Sequence, residues 1–204
     1  MIVPATAAAH FRAAEIIQRG GVVAFRTDTF YGLGADPTNA HAVRKIRDLK
    51  GREEQKPILV LISDSSQARN FTGKTSEGFD SIGKRFWPGP LTLIGIARDE
   101  LPLELTAGTG SVGVRLPDGH DLRALLRACG GALTATSANL SGKPPARTAQ
   151  QVQHYFPTGV DLIIDGGEAT ASQPSTVLDL SEEEIRFIRE GAIARAELER
   201  FLSE

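Results

Sequence analysis

Apolar residues follow two spacings along the chain, and segments of one spacing alternate with segments of the other. Recurrence every three to four residues predicts helices over residues 7–19, 76–86 and 194–202 and around Val43, Leu125 and Val152. Short apolar runs predict strands at residues 22–26, 58–62, 91–97, 112–116, 132–136, 162–165, 176–180 and 186–189. This alternation, without a long linker or an internal repeat, predicts a single α/β domain with a mixed sheet over residues 1–204.

Polar residues and glycines mark the ends of several predicted helices. Asn39 and Thr148 precede helical segments, where their side-chain oxygens are able to accept a hydrogen bond from a free backbone N–H. Glycine pairs at positions 20–21 and 130–131 follow helical segments, and glycine adopts the left-handed conformation that ends a helix without strain. These signals place helix boundaries independently of the apolar pattern.

The composition excludes several classes of protein. Of the 204 residues, 41% are hydrophobic and 24% are charged, which is typical of a globular domain and not of a disordered, collagen-like or coiled-coil chain. The apolar runs are too short to cross a membrane, and no signal peptide opens the sequence. We therefore expect a cytoplasmic protein with no membrane partner. The single cysteine, Cys129, excludes an internal disulfide and a four-thiolate zinc site.

The net charge is close to neutral, but the charges are unevenly distributed. The 23 basic and 25 acidic side chains give a net charge of −2, so an anionic partner must be met by a local patch. Residues 44–56 carry six basic and three acidic side chains, whereas residues 179–204 carry eight acidic side chains and four arginines. The basic segment is therefore the first candidate for contact with phosphate.

Two short motifs have the sequence of known sites but lack their structural context. Residues 108–113, GTGSVG, carry the glycine spacing of dinucleotide-binding loops, but they lead into a predicted strand instead of a helix. Residues 73–75, GKT, end like a phosphate-binding loop, yet Ala68 stands where its first glycine belongs. The four histidines are scattered, so no metal site is predicted.

Three polar clusters lie next to predicted strands, where α/β sheets present ligands. Residues 27–34, TDTFYGLG, indicate a strand that ends in a glycine turn with hydroxyls and a carboxylate. Residues 50–57, KGREEQKP, bring three cations before a buried strand and suit a polyphosphate. Residues 134–142, TATSANLSG, offer hydroxyls and an amide that are able to bind phosphate or carboxylate. Taken one at a time, the clusters are also compatible with ordinary structure: a capped turn for the first, and a solvated loop for the second and third.

Taken in order, these motifs resemble the YrdC-like family, the threonylcarbamoyl-AMP synthases also called TsaC. The resemblance covers nearly the whole chain. Beyond the three clusters, it is carried by WPGP (87–90), VGVRLP (112–117), STV (175–177) and IREG (188–191).

The resemblance implies both a fold and a reaction. The fold would be a twisted mixed sheet with flanking helices around a large basic cavity. The reaction would convert L-threonine, bicarbonate or CO2 and ATP into threonylcarbamoyl-AMP and pyrophosphate, with Mg²⁺ bound to ATP as cofactor. The product would pass to separate tRNA threonylcarbamoyl-transfer proteins, and direct contact with RNA or tRNA is an open possibility.

The resemblance also carries roles over to individual residues of this sequence. The threonine pocket would comprise Thr29, Tyr31, Arg115, Ser137 and Ser175. The ATP contacts would be Lys50, Arg52, Lys56, Ser111, Asn139 and Arg189. Of these, Lys50 and Arg52 would be the catalytic residues, because cations stabilise the negative charge that develops on the α-phosphate and the departing pyrophosphate.

Two residues depart from the family pattern, and the chain is short. Arg26 stands where the motif commonly has proline, and Leu61 stands where some members have a histidine that contacts threonine. The first adds charge near the site, and the second changes how the pocket would hold its amino acid. The chain ends soon after Arg189, so it is expected to resemble the short, single-domain form of the family.

Two other functions remain open on the sequence alone. A basic concavity on a near-neutral protein also suits an RNA-binding module without turnover, whose affinity would fall steeply with salt. The same fold would also suit another carbamoylation or nucleotidyl transfer, because a fold does not determine a reaction.

Overall fold

The strands pair into one mixed sheet. A computed structural model describes residues 1–51 and 57–203. Its strands are β1 (Ile2–Pro4), β2 (Val23–Arg26), β3 (Tyr31–Gly34), β4 (Leu59–Ile62), β5 (Leu91–Ile96), β6 (Ser111–Arg115), β7 (Ala132–Ser137), β8 (Leu162–Asp165), β9 (Thr176–Asp179) and β10 (Arg186–Arg189). Over the described residues, these ten strands follow the order β1-β8-β2-β3-β7-β4-β6-β5-β9-β10.

The sheet contains both parallel and antiparallel pairs. The pairs β1–β8, β2–β8, β4–β6 and β5–β9 are parallel. The pairs β2–β3, β3–β7, β4–β7, β5–β6 and β9–β10 are antiparallel. The predicted mixed sheet is therefore confirmed.

Along the chain, most helices connect one strand to a later one, and the last helix follows β10. They are α1 (Ala7–Gln18), α2 (Ala40–Leu49), α3 (Glu77–Phe86), α4 (Leu103–Thr106), α5 (His120–Ala128), α6 (Ala149–Tyr155) and α7 (Arg195–Leu202), with a 3-10 helix at Ser65–Asn70. Asn39 and Thr148 cap α2 and α6 by accepting the backbone N–H of Ala42 and Gln151, as their positions predicted. In the described part of the chain, no helix has both the length and the apolar character needed to cross a bilayer.

Successive side chains of a strand point to opposite faces of the sheet and pack into two different hydrophobic clusters. In β4, Val60 and Ile62 join the larger hydrophobic cluster, whereas Leu61 between them joins the smaller one. This is the two-residue period of a strand that is buried on both faces. Helices α1 and α5 cover the smaller cluster through residues such as Ile17 and Leu126. The flanking helices therefore enclose the sheet on both faces, as the fold prediction required.

The glycine-rich segment after β2 differs from the prediction. Residues 31–34 were expected to form a turn, but they form β3, which pairs with β2 and β7. A side chain at Gly34 would place its Cβ 2.5 Å from Cε1 of Phe25 and 3.0 Å from the carbonyl oxygen of Thr134. The glycine here permits close packing inside the sheet, and the turn is limited to the preceding residues.

Gly191 packs against the backbone that leads into β9. An added Cβ would lie 2.6 Å from the carbonyl carbon and 2.7 Å from the carbonyl oxygen of Ser175, and closer still to the carbonyl oxygen of Pro174. The Gly191 N–H also donates to Oγ1 of Thr176 at 3.0 Å. The chain after β10 is therefore held directly against the residues that precede β9.

Replacing Gly191 with alanine should destabilise the protein. Overpacking of this kind typically costs about 1–3 kcal/mol, and each kcal/mol lowers the melting temperature of a chain of this size by roughly 2–4 °C. Thermal unfolding of Gly191→Ala measures the loss. The control is Gly73→Ala, because the nearest atom to its added Cβ is 3.9 Å away. Equal melting temperatures for the two variants would contradict this assignment.

Candidate active site

A cavity of about 400 Å³ opens where several strand ends and loops meet, and we call it the main cavity. The turn between β2 and β3, the ends of β6, β7 and β10, and the residue before β9 all contribute to its wall. Of the predicted site residues, those that line it are Thr29, Tyr31, Lys50, Arg115, Ser137, Asn139, Ser175 and Arg189. Six motifs that are far apart in sequence therefore converge on one cavity.

Of the remaining three predicted residues, Ser111 is described by the structure and is not among those that line the cavity. Ser111 begins β6 and Arg115 ends it, so three residues of the strand lie between Ser111 and the residue that lines the cavity. The Ser111 hydroxyl lies 3.0 Å from Oγ1 of Thr109. Arg52 and Lys56 lie outside the described residues.

Arg115 is buried on the wall of the main cavity, with only 3% of its side chain exposed. Its Nε donates to the carbonyl oxygen of Gly89 at 3.0 Å, and its Nη2 donates to Oδ2 of Asp28. Burial lowers the pKa of Arg115, and the adjacent Asp28 carboxylate acts in the opposite direction. The guanidinium is thus held at two points and faces a cavity.

Arg189 and Ser175 form a second polar group on the wall. Arg189 donates from Nε to the carbonyl oxygen of Ser175 at 3.0 Å and from Nη2 to its Oγ at 3.1 Å. The Ser175 hydroxyl also lies 3.1 Å from Oγ1 of Thr92 on β5. Burial lowers the pKa of Arg189, and the positive charge of Arg115 lowers it further. The two arginines are therefore close enough to repel each other.

Lys50 joins the end of α2 to the loop after β7. Its side chain is buried, and Nζ donates to the carbonyl oxygens of Ser137 at 2.6 Å and Asn139 at 3.1 Å. A third cation is therefore held against the wall of the cavity by backbone oxygens from the third polar cluster.

The side-chain amide of Asn139 was expected to donate to phosphate or carboxylate, but its donor is occupied within the protein. Its amide nitrogen donates to the carbonyl oxygens of Leu140 at 3.0 Å and Lys143 at 2.6 Å. Both partners are acceptors, so the nitrogen and oxygen of the amide are unambiguous. Its Oδ1 is buried without a partner among the described residues. The amide nitrogen is therefore already used by two backbone carbonyls, and a direct hydrogen bond from it to a phosphate oxygen is not favoured.

The turn between β2 and β3 is held by Thr27. Its Oγ1 accepts the backbone N–H of Thr29 at 3.1 Å and of Phe30 at 3.2 Å, and it donates to the carbonyl oxygen of Phe30. Tyr31 follows with a buried ring, and its hydroxyl donates to the carbonyl oxygen of Gly167 at 2.8 Å. Burial raises the pKa of Tyr31 to about 12. The tyrosine hydroxyl therefore stabilises the fold by binding Gly167, and other atoms of Tyr31 line the cavity.

The two residues that depart from the family pattern occupy different places. Leu61 lines the main cavity with Leu59 and Ala135 and makes that part of the wall apolar. Arg26 instead donates from Nη1 to the carbonyl oxygen of Gly166 at 2.9 Å. It lines a second cavity of about 390 Å³, which His10, Phe25, Arg26, Asp28, Asp121 and Leu125 enclose with eight other residues. The charge of Arg26 therefore does not face the main cavity.

Sequence reasoning missed three polar residues of this region. Arg47 lines the cavity and donates from Nε to the carbonyl oxygen of Glu104 at 2.7 Å. Its helical spacing of three residues from Lys50 within the basic segment was a usable signal. Asp28 stands inside a quoted motif without an assigned role. Thr92 sits in an apolar strand, where nothing local distinguishes it from a core threonine.

The side chains that the described residues bring to the site suit anions. Among the described residues, no group of three or more histidine, cysteine, aspartate or glutamate side chains is arranged to hold a metal. The main cavity is instead lined by Arg47, Lys50, Arg115 and Arg189, with hydroxyls and apolar side chains between them. Cations held in a partly enclosed cavity bind phosphate and carboxylate strongly.

Comparison with known proteins places the chain in a family. The Sua5/YciO/YrdC family model, described as "Telomere recombination", matches residues 15–191. The chain is 41% identical to the threonylcarbamoyl-AMP synthase of Bacillus subtilis over 92% of its own length, and it spans about half of that relative, 55%. It is also 41% identical to the threonylcarbamoyl-AMP synthase of Thiobacillus denitrificans over 81% of its length, which covers 87% of that relative.

A solved structure agrees with the sequence relatives. The crystal structure of P. abyssi Sua5 complexed with L-threonine has a TM-score of 0.91 and 36% identity, covering 96% of this chain and 57% of that one. The order of motifs, the cavity that they form and the matched residues lead to one conclusion: the chain belongs to the Sua5/YciO/YrdC family.

Proposed function

We propose that this protein is an L-threonylcarbamoyladenylate synthase, which forms threonylcarbamoyl-AMP and pyrophosphate from L-threonine, bicarbonate or CO2 and ATP. The observation that carries the proposal is the convergence of Lys50, Arg115 and Arg189 with Ser137 and Ser175 on one cavity. Relatives that carry the synthase name support it, as does the L-threonine bound to the P. abyssi protein.

The amino acid is proposed to bind at the Arg115 end of the cavity. A guanidinium forks onto a carboxylate with two parallel hydrogen bonds, and Arg115 is held with part of its donors unused. Hydroxyls of Thr29, Ser137 and Ser175 line the same wall and suit the amine and hydroxyl of threonine. The apolar wall around Leu61 suits its methyl group.

The triphosphate is proposed to bind along Lys50 and Arg189. Ammonium and guanidinium groups neutralise clustered phosphate oxygens, and the family resemblance adds Arg52 and Lys56, which lie outside the described residues. Asn139 lines the same cavity and is proposed to shape the nucleotide site, while its amide nitrogen holds the carbonyl oxygens of Leu140 and Lys143. Ser111 is not among the described residues that line the main cavity, so its predicted contact with ATP carries no part of this proposal.

The proposed reaction needs no nucleophilic side chain. The neutral amine of threonine attacks CO2 and releases one proton to solvent, which leaves a carbamate. A carbamate oxygen then attacks the α-phosphorus of ATP, the bond from this phosphorus to the oxygen that bridges to the β-phosphate breaks, and pyrophosphate leaves with that oxygen. The cationic wall positions the two reactants and offsets the charge that builds on the phosphates. Mg²⁺ would enter with ATP and neutralise phosphate charge, held mainly by phosphate and water oxygens.

This proposal is favoured over an RNA-binding module without turnover. The cations Lys50, Arg115 and Arg189 lie in a cavity and are held by backbone oxygens, whereas binding to a nucleic-acid backbone favours charges on an open surface. Supply of the product to tRNA-modifying proteins belongs to the same proposal.

Product formation tests the function. Purified protein is mixed with ATP, Mg²⁺ and bicarbonate, and pyrophosphate release is followed with and without L-threonine while mass spectrometry identifies the nucleotide product. We expect release that requires both L-threonine and bicarbonate, with the mass of threonylcarbamoyl-AMP. Pyrophosphate release that ignores threonine, or none at all, would overturn the proposal.

Replacing Arg189 should weaken turnover more than replacing its neighbour on the same strand. Arg189→Ala removes a cavity cation and two hydrogen bonds to Ser175. We expect kcat/KM for ATP to fall by roughly tenfold to a hundredfold, the range for one or two charge-assisted hydrogen bonds. Arg186→Ala is the control, because Arg186 pairs with Asp179 and Glu182 and does not line the cavity. Equal effects of the two variants would contradict the role of Arg189.

A further inference from the structure

We infer that Asp28 is a positioning residue for Arg115, which turns one edge of its guanidinium toward the carboxylate of the amino-acid substrate. The inference rests on the proposed function and deepens it. Asp28 comes from the turn between β2 and β3, and Arg115 ends β6, 87 residues later. The two side chains form an ion pair across the wall of the main cavity.

The contacts of Arg115 divide its guanidinium into a used edge and an unused edge. A guanidinium carries five N–H donors in a plane, and Nε and Nη2 share one edge of it. Nε donates to Gly89 and Nη2 donates to Asp28. Among the described residues, Nη1 has no acceptor. Nη2 carries two N–H groups, and the bond to Asp28 uses one of them. The second N–H of Nη2 and the N–H groups of Nη1 therefore remain for a ligand, and the edge between these two nitrogens has the geometry that a carboxylate binds with two hydrogen bonds.

Asp28 is itself held by a rigid turn. Thr27, directly before it, accepts the N–H groups of Thr29 and Phe30, and its own N–H donates to the carbonyl oxygen of Phe30 at 3.0 Å. These bonds close a short loop whose tip carries the Asp28 carboxylate. The carboxylate is thus presented to Arg115 by a turn that is closed by its own hydrogen bonds.

The charges of the site require such a partner. Arg115 is buried beside a second cation, Arg189, and burial together with like-charge repulsion disfavours a charged guanidinium. Asp28 is the only carboxylate that forms an ion pair with Arg115 among the described residues. Removing one partner of a buried pair leaves the other uncompensated. Without Asp28, the guanidinium would be free to turn toward other acceptors and away from its present orientation.

The position of Asp28 separates it from the substrate. Among the described residues, it is part of the wall of the second cavity and not of the main cavity. It therefore acts on the amino acid through Arg115 and is a positioning residue instead of a catalytic one. Its local motif gave no hint of this role, because the partner is distant in sequence.

Threonine binding in the absence of ATP tests the inference. Asp28→Asn keeps the size of the side chain and removes its charge, and calorimetry with L-threonine measures the affinity. We expect the Kd to rise roughly tenfold or more, as for loss of a charge-assisted hydrogen bond. The matched control is Asp121→Asn, because Asp121 lines the same second cavity and is 89% exposed. Its Kd should stay within twofold of the wild-type value.

A second probe separates positioning from a general loss of structure. L-threoninol keeps the amine and the hydroxyl of threonine but lacks the carboxylate, so its affinity should be the same in Asp28→Asn and in the wild type. Asp28→Glu keeps the charge and moves it by one methylene, and it should bind threonine more weakly at a normal melting temperature. Arg115→Lys combined with Asp28→Asn should weaken threonine binding by less than the product of the two single effects, because both act on one interaction.

The outcomes distinguish this inference from the proposed function. An unchanged Kd for threonine in Asp28→Asn, or an equal loss for threonine and threoninol, would overturn the inference. If Asp28→Asn weakens threonine binding but the wild-type protein makes no adenylate, the inference stands and the proposed function is overturned. Adenylate synthesis with threonine binding that does not depend on Asp28 would do the reverse.

Discussion

The burial of positive charge in one cavity is the constraint on which the rest of the site depends. Lys50 and Arg115 are almost completely buried, and Arg189 lies beside Arg115. A buried cation is stable only when oriented oxygen atoms replace the water it has lost. Here the oxygens are backbone carbonyls of Gly89, Ser137, Asn139 and Ser175 and the carboxylate of Asp28.

These oxygens explain why the site needs the whole sheet. They lie in the turn after β2, at the end of β7 and in the loop that follows it, before β5 and before β9. Pairing of β7 with β3 and β4, and of β5 with β6 and β9, brings these strand ends together. Tight contacts such as that of Gly191 with Ser175 keep them at fixed distances. The fold therefore supplies a preorganised set of charges, and a reaction that mainly needs positioning and charge neutralisation is well served by it.

Sequence patterns predicted the helices and strands, which depend on neighbouring residues, and missed contacts between residues that are distant in sequence. Apolar spacing and caps such as Asn39 were sufficient for the main helices and strands, because these signals lie within a few residues. The segment at 31–34 was predicted wrongly as a turn, since its glycines serve contacts with Phe25 and Thr134 from other strands. Sequence spacing could not predict the pairing of Asp28 with Arg115, because the two residues are 87 positions apart. Family resemblance supplied the site residues, but not the hydrogen bonds that occupy the Asn139 amide nitrogen, which depend on the fold of the loop after β7.

A crystal structure of the protein with L-threonine and a non-hydrolysable ATP analogue tests the central claim most directly. The account predicts the threonine carboxylate on the Nη1 and Nη2 edge of Arg115, and the triphosphate along Lys50 and Arg189 in the main cavity. A threonine bound away from Arg115, or a nucleotide bound outside the main cavity, would contradict it.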